Sequence, residues 1–115
     1  MTYKRQYQNK YGAVKQTYNG YSYDSKKEAA YAMELDLRIK AKDIKSWDRQ
    51  KKIELEAYGK HICNYYIDFV ITHNDGKKEY VEVKGFETDL WKLKWKMFVA
   101  KLREEEPSAV ATLVK

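Results

Sequence analysis

The sequence has very few cysteines and prolines, and it lacks long apolar runs. Cys63 and Pro107 are the single cysteine and the single proline among 115 residues. A lone cysteine cannot form an internal disulfide and is typical of a small core residue in a reducing cytoplasm. No apolar run approaches the roughly 18 residues that span a bilayer. The basic N-terminus is not followed by the apolar stretch of a secretion signal. We therefore expect a cytoplasmic protein without a membrane segment.

The length of the chain limits the number of domains, and its charge indicates a class of binding partner. A chain of 115 residues can form one compact domain and is too short for two, so residues 1–115 are predicted to be a single domain. The net charge of +6 is uneven. Residues 1–27 hold six Lys or Arg against one Asp, and residues 84–103 hold six against two acidic residues. Clustered positive charge is typical of a nucleic-acid binder, although a solvated basic surface explains the charge alone equally well.

Turn and cap signals divide the chain into a hairpin and two helices. Residues 1–12 form a basic, tyrosine-rich arm without periodicity, and residues 13–23 contain Asn19-Gly20, which predicts a tight β-hairpin. Ser25 followed by Glu28 is a capping-box pattern at the start of a helix over 25–41. A second helix begins at Thr88 or Asp89 and ends before Pro107.

Strands fill the rest of the chain. Alternating or apolar segments predict strands over 48–56, 62–72, 78–84 and 109–114. The predicted order is therefore hairpin, then αβββαβ over residues 25–114. This is a mixed α/β fold of one domain with a preceding hairpin.

The turn between the second and third of these strands decides whether two acidic side chains meet. A three-residue loop over 74–76 pairs residues whose numbers sum to 150, so that Asp68 lies opposite Glu82 and Lys84 opposite Tyr66. A two-residue loop would send Glu82 to the other face. We choose the three-residue loop because it gathers one fully apolar face, formed by Ile67, Phe69, Ile71, Val81 and Val83.

Adjacent carboxylates repel each other unless they are protonated or neutralised by a cation. Mg²⁺ prefers oxygen ligands and takes one or two carboxylates together with phosphate oxygens. Asp68 and Glu82 are therefore candidate metal ligands, and Lys84 is placed to orient a water molecule or to stabilise charge on a phosphate. Glu28 lies on the core-facing stripe of the first helix and is a candidate third carboxylate. Together these groups suit phosphodiester hydrolysis.

Each residue also has a purely structural interpretation. Glu28 fits equally well as the N3 residue of the capping box. Lys84 fits a strand-end residue that reaches solvent, and Asp68 with Glu82 fits a pair on the exposed face of a hairpin. The combination of Asp, thirteen residues, and Glu-x-Lys around a strand–turn–strand favours the nuclease hypothesis over these alternatives.

At Ile67-Asp68 and Glu82-Val83-Lys84 the sequence resembles the PD-(D/E)XK nuclease superfamily, whose αβββαβ core matches the predicted order. Ile67 stands where the superfamily often has proline. The segments "NKYGAVKQTYNGYSYDSKKEAAYAMEL", "YIDFVI" and "VEVKGFETDLWKLKWKMF" also resemble a small family of phage-encoded proteins, members of which are linked to Holliday-junction resolution.

The resemblance implies a metal-dependent endonuclease acting on branched DNA, with Mg²⁺ as cofactor and Mn²⁺ as a substitute. It implies that Glu28, Asp68, Glu82 and the carbonyl oxygen of Val83 bind the metal. It also implies a homodimer, because resolution of a four-way junction needs two opposed incisions, and a host cytoplasm if a phage encodes the protein. A nuclease for another DNA structure and a non-catalytic DNA-binding module are the alternatives.

Four lysines are candidate DNA contacts. Lys92 and Lys96 lie at i and i+4 of the second helix and share one face. Lys10 and Lys15 belong to the basic N-terminal part of the chain. A solvated surface explains them equally well. Phosphate contacts do not read sequence, so we expect structure-selective binding. The spacing of aromatic and apolar residues on the second helix favours core or dimer interface over base stacking; these are Trp91, Trp95, Phe98 and Leu102.

Overall fold

A computed structural model describes residues 16–115 of the protein. Its elements, in chain order, are β1 (Gln16–Tyr18), β2 (Tyr21–Tyr23), α1 (Lys26–Lys40), β3 (Ser46–Ala57), β4 (Lys60–Thr72), β5 (Lys78–Val83), α2 (Asp89–Glu105) and β6 (Val110–Val114). The predicted order of a hairpin followed by αβββαβ is confirmed, and the fold is mixed α/β, compatible with the nuclease core. The predicted arm over 1–12, which includes Lys10, lies outside the described residues, and so does Lys15.

The four longer strands form one sheet in the order β3-β4-β5-β6. The first two pairings are antiparallel, and β5 pairs with β6 in parallel after the α2 crossover. Val70 packs in a cluster with α2, whereas Ile71 packs in a cluster with α1. Because neighbouring strand residues point to opposite faces, the two helices cover opposite faces of the sheet.

Side-chain caps set the start of each helix. The Ser25 hydroxyl accepts a hydrogen bond from the Glu28 amide at 3.1 Å, and the Thr88 hydroxyl accepts one from the Trp91 amide at 3.1 Å. Such caps satisfy amides that have no partner within the helix, and each contributes about 1 kcal/mol. They also fix Glu28 and Trp91 in the first turn of their helices, where both side chains reach the end of the sheet.

Two tight turns use residues with positive φ. Asn19 and Gly20 have φ of 52° and 84°, which confirms the predicted hairpin turn. Tyr58 and Gly59, at 53° and 74°, join β3 to β4 in the same way. These two strands are therefore longer than predicted. The sequence did not indicate the second turn because tyrosine seldom adopts a positive φ.

The β1–β2 hairpin packs against both α1 and β3. The Tyr18 hydroxyl donates to Asp36 of α1 at 2.5 Å. Arg49 of β3 donates to the Ser22 carbonyl at 2.9 Å. Its guanidinium also lies 4.7 Å and 4.8 Å from the ring centroids of Tyr21 and Tyr23. These contacts hold the hairpin against α1 and β3.

Within residues 16–115, neither helix has the length and apolar character required to cross a bilayer.

Candidate active site

An open cleft of about 820 Å³ lies where the first turns of α1 and α2 meet the middle of β4 and the end of β5. Side chains of both signs and several rings line it; among them are Lys27, Glu28, Gln50, Tyr65, Tyr66, Asp68, Glu82, Lys84, Phe86, Leu90, Trp91 and Lys94. All four predicted catalytic residues and Val83 line this one cleft. The structure therefore brings the predicted site residues of the core together.

The predicted register of the β4–β5 hairpin is confirmed. Phe69 pairs with Val81, and the loop is closed by a hydrogen bond of 2.9 Å from the His73 amide to the Lys77 carbonyl. Gly76 has a φ of 89°, as the three-residue loop requires. The paired residues run from Thr72 and Lys78 to Phe69 and Val81, so they end one residue before Asp68 and Glu82.

The predicted apolar face is only partly correct. Phe69, Ile71, Val81 and Val83 pack with α1, but Ile67 packs in the α2 cluster with Tyr65. The alternation of β4 therefore does not continue unchanged through Asp68. Gln50, across from Asp68 in the β3–β4 register, has a φ of 52°, which is uncommon within a strand. This irregularity in the neighbouring strand accompanies the change of side-chain direction.

The Glu28 carboxylate points toward the strand ends. Its side chain is 4% exposed. The side-chain amide of Gln50 donates a long hydrogen bond of 3.4 Å to Oε2 of Glu28. The Glu28 backbone amide binds Ser25, so the residue takes part in the helix cap through its backbone while its carboxylate lines the cleft. Glu28 is therefore both a residue of the helix cap, through its backbone, and a carboxylate of the cleft, through its side chain.

Asp68 and Glu82 are held by different partners. The Val83 amide donates to Oδ2 of buried Asp68 at 2.8 Å. The Trp91 indole N–H lies 3.2 Å from Oε2 of Glu82 and 3.2 Å from the Tyr65 hydroxyl oxygen. The other Glu82 oxygen, Oε1, is buried and has no hydrogen-bond partner among residues 16–115. An unpaired buried carboxylate oxygen costs free energy, so a cation or a hydrogen-bond donor at this atom would stabilise the folded protein.

The surroundings of the three carboxylates raise the pKa of each above its ordinary value. Burial, followed by the nearby charge of Asp68, raises the pKa of Glu28 to about 8. The same two causes raise the pKa of Glu82 to about 7. Burial raises the pKa of Asp68 to about 6, against the opposing effects of the Val83 amide and the Lys84 charge. A cation in the cleft would favour the ionised forms and remove this repulsion.

Lys84 is positioned by contacts at its side chain and its backbone. Its Nζ lies 5.4 Å from the centroid of a Trp91 ring. Its amide donates to the Val114 carbonyl of β6 at 2.8 Å. Its charge lowers the pKa of both Asp68 and Glu82. The lysine is thus held beside the carboxylates, as the hairpin register predicted.

The lysine of α2 that lines the cleft is not one of the two that were predicted to contact DNA. Lys92 and Lys96 are exposed and do not line the cleft, so their contact with DNA stays a prediction. Lys94 lines the cleft, as does Lys27 of α1. The i, i+4 spacing identified a shared face but could not show which face meets the cleft.

The donor set fits a hard divalent cation of the Mg²⁺ type. It offers carboxylate oxygens, including the unpartnered Oε1 of Glu82. Among residues 16–115, no three Asp, Glu, His or Cys side chains converge closely enough to form a complete metal cage. A cation here would therefore need water or phosphate oxygens, in addition to protein oxygens, to complete its shell.

Three residues of the site were not predicted as functional: Gln50, Tyr65 and Trp91. Trp91 is buried in the core cluster as expected, and it also donates to Glu82. Its spacing along the helix predicted a buried or interface position and gave no indication of a contact with Glu82. Gln50 and Tyr65 lie on strands that reach the cleft through tertiary packing, and no local motif marks them.

The fold and the cleft together define a mixed α/β protein with a buried acidic site beside a lysine. Residues 8–115 match the family described as DUF1064, a protein of unknown function, and the chain belongs to this family. No curated protein matches the chain.

Proposed function

We propose that the protein is a metal-dependent endonuclease that hydrolyses phosphodiester bonds in branched DNA, with the four-way junction as its expected substrate. One observation carries the proposal: three buried carboxylates, one with an unpartnered oxygen, face a common cleft beside a lysine. Carboxylates alone would repel a phosphate. A divalent cation together with Lys84 reverses that electrostatic preference.

The residues of the cleft have distinct roles in this proposal. Asp68 and Glu82 would hold Mg²⁺ or Mn²⁺, with Glu28 and the Val83 carbonyl as further ligands. When bound, the cation supplies Lewis-acid polarisation of the phosphate and lowers the pKa of a water molecule. Lys84 orients the attacking water or stabilises the negative charge that develops on the phosphate.

Lysines at the cleft support DNA as the substrate. Lys27 and Lys94 line it from α1 and α2, on either side of the carboxylates. Amine groups in these positions can neutralise the phosphates that flank the scissile bond. The proposed homodimer follows from the resemblance to junction-resolving nucleases, because two incisions on opposed strands require two such clefts.

Cleavage of a labelled four-way junction tests the proposal. The wild-type protein is expected to nick the junction in Mg²⁺ or Mn²⁺ and to be inactive in EDTA. Glu82→Gln is expected to abolish nicking while DNA binding persists, because the amide is a poorer metal ligand than a carboxylate. The matched control is Glu34→Gln, which removes an exposed carboxylate of α1 that does not line the cleft.

The outcomes separate the alternatives. DNA binding without nicking by the wild-type protein would identify a non-catalytic DNA-binding module. A flap and a linear duplex are assayed at the same concentration as the junction. Equal cutting of the three substrates would support the nuclease activity and contradict the preference for junctions.

Trp91→Phe is expected to lower the cleavage rate by about 10–100-fold, the usual effect of losing a group that orients a metal ligand. Phenylalanine retains an aromatic ring but lacks the N–H that donates to Glu82 and Tyr65. Single-turnover rates are measured well below the unfolding midpoints of all variants.

Trp47→Phe provides the matched control. Trp47 donates its indole N–H to Asp36 at 2.9 Å and does not line the cleft. This variant loses a comparable hydrogen bond and is expected to keep the wild-type rate. Equal rates for the two variants would show that Trp91 serves packing alone.

A further inference from the structure

Gln50 has a backbone conformation that glutamine rarely adopts. Its φ is 52°, and among residues 16–115 it is the only residue inside a strand whose φ is positive. Residues with a Cβ atom seldom occupy this left-handed region because it costs free energy, and glycine and asparagine tolerate it best. The reason for a glutamine at this position must therefore come from contacts that its side chain makes.

The conformation accompanies a change of side-chain direction in β3. Arg49 contacts the β1–β2 hairpin, which packs on the α1 side, whereas Ile53 and Leu55 pack in the cluster with α2. In an unbroken strand these three odd-numbered positions would share one face. Within the described sheet, the β3–β4 pairing skips Gln50 and resumes at Lys51. Gln50 therefore lies where the strand changes face.

This change of face does not itself require glutamine. Glycine or asparagine would adopt the same φ with less strain. Glutamine adds a long side chain with an amide, which lines the cleft and donates to Oε2 of Glu28 at 3.4 Å. A hydrogen bond of this length stabilises a fold little, so the contact is better explained by its effect on the carboxylate.

We propose that Gln50 is a positioning residue, whose side-chain amide holds the Glu28 carboxylate in the orientation that binds the divalent cation. A hydrogen bond to one oxygen of a ligating carboxylate fixes its direction and is a common feature of metal sites. The inference rests on the proposed function for the cation. It goes beyond that function by assigning a role to a residue other than the three acids and the lysine.

Mn²⁺ affinity in the absence of DNA tests the inference. Free Mn²⁺ is measured by electron paramagnetic resonance while the full chain is titrated at constant pH. Gln50→Gly keeps the positive φ but removes the amide, so it is expected to bind Mn²⁺ about tenfold more weakly. Its unfolding midpoint in EDTA should stay close to that of the wild-type protein, because the relief of strain offsets the greater freedom of glycine in the unfolded chain.

Gln50→Asn is a second variant that tolerates the same φ and retains an amide. Its side chain is one methylene group shorter and cannot span a contact that is already 3.4 Å long, so the same loss of Mn²⁺ affinity is expected. Tyr58→Gly is the matched control and is expected to keep the wild-type affinity. Tyr58 also has a positive φ, of 53°, but it is fully exposed at the β3–β4 turn and does not line the cleft.

The Glu28→Gln background shows whether Gln50 acts through Glu28. If it does, adding Gln50→Gly to Glu28→Gln should cause little further loss of Mn²⁺ affinity. A loss as large in this background as in the wild-type background would overturn the inference. So would wild-type affinity in both Gln50 variants, an equal loss in Tyr58→Gly, or a wild-type protein that does not bind Mn²⁺.

The outcome is independent of DNA cleavage. Weaker Mn²⁺ binding in the Gln50 variants, lost in the Glu28→Gln background, would support the role of Gln50 even if the wild-type protein cuts no DNA. Wild-type Mn²⁺ affinity in these variants would contradict that role even if the protein cuts junctions.

Discussion

Replacing Lys84 with alanine is expected to lower the rate of Mg²⁺-dependent DNA cleavage by about 10²–10³-fold, the usual effect of removing one group that stabilises charge in the transition state. Lys84 lies beside both Asp68 and Glu82 in the cleft and is held against Trp91. The lysine contributes mainly when charge develops on the phosphate, so we expect DNA affinity to fall much less than the rate.

The pH dependence of this variant gives a second measurement. The positive charge of Lys84 lowers the pKa of Asp68 and of Glu82. Without it, both carboxylates ionise at higher pH, and the rising limb of the rate profile should shift to higher pH. Single-turnover rates on the labelled junction, from about pH 6 to about pH 9, would show both the loss and the shift.

Lys92→Ala is the matched control for Lys84→Ala. It removes the same charge from an exposed position on α2 that does not line the cleft. Its rate is expected to stay near that of the wild-type protein. A wild-type rate in Lys84→Ala, or an equal loss in Lys92→Ala, would contradict the role assigned to Lys84.

Glu28→Gln is expected to stabilise the metal-free protein at alkaline pH. The pKa of Glu28 is raised from its ordinary 4.5 to about 8 in the folded state, chiefly by burial. A raised pKa means that the fold favours the protonated acid. The corresponding stability is complete below pH 4.5 and is lost as the pH rises through about 8. Glutamine has no proton to lose, so its contribution does not change with pH.

Each pKa unit corresponds to about 1.4 kcal/mol, and the neighbouring carboxylates share part of the shift. We therefore expect Glu28→Gln to raise the free energy of unfolding by about 2 kcal/mol at about pH 9, with little change at about pH 5. For a domain of this size, this corresponds to an increase of about 8 °C in the unfolding midpoint. Urea and thermal unfolding in EDTA at the two pH values measure the difference.

Glu34→Gln is again the control, because it neutralises an exposed carboxylate of the same helix. It should leave the pH dependence unchanged. Mg²⁺ added to the wild-type protein at alkaline pH should raise the midpoint, since a ligand that binds only the folded state stabilises it. A Glu28→Gln protein no more stable than the wild type at pH 9 would show that the carboxylate is not held in a charge-excluding environment.

The centre of the site could be predicted from the sequence because local chemistry determines it. The loop over 74–76 and the apolar alternation around it set the β4–β5 register, and Asp68 and Glu82 lie next to its last pair, Phe69 and Val81. The capping residue Ser25 similarly sets the start of α1 and places Glu28 in its first turn. In each case a short segment of sequence determines the local structure that positions the acidic residue.

The surroundings of the site depend on packing between distant segments, which local patterns do not encode. The rotation of α2 about its axis decides that Lys94, and neither Lys92 nor Lys96, lines the cleft. The same rotation turns the Trp91 N–H toward Glu82. The positive φ of Gln50 and the position of Ile67 likewise depend on how β3 and β4 meet the rest of the fold.

The hydrogen bond between the Lys84 amide and the Val114 carbonyl joins the site to the outermost strand of the sheet. In the part of the chain that the structure describes, β6 has a neighbour on one side only and supplies none of the carboxylates or lysines of the cleft. Detachment of this border strand would release the backbone of Lys84 and would also remove the partners of Glu82 and Val83 in the β5–β6 pairing. The competence of the centre therefore depends on the docking of a segment that takes no part in the chemistry.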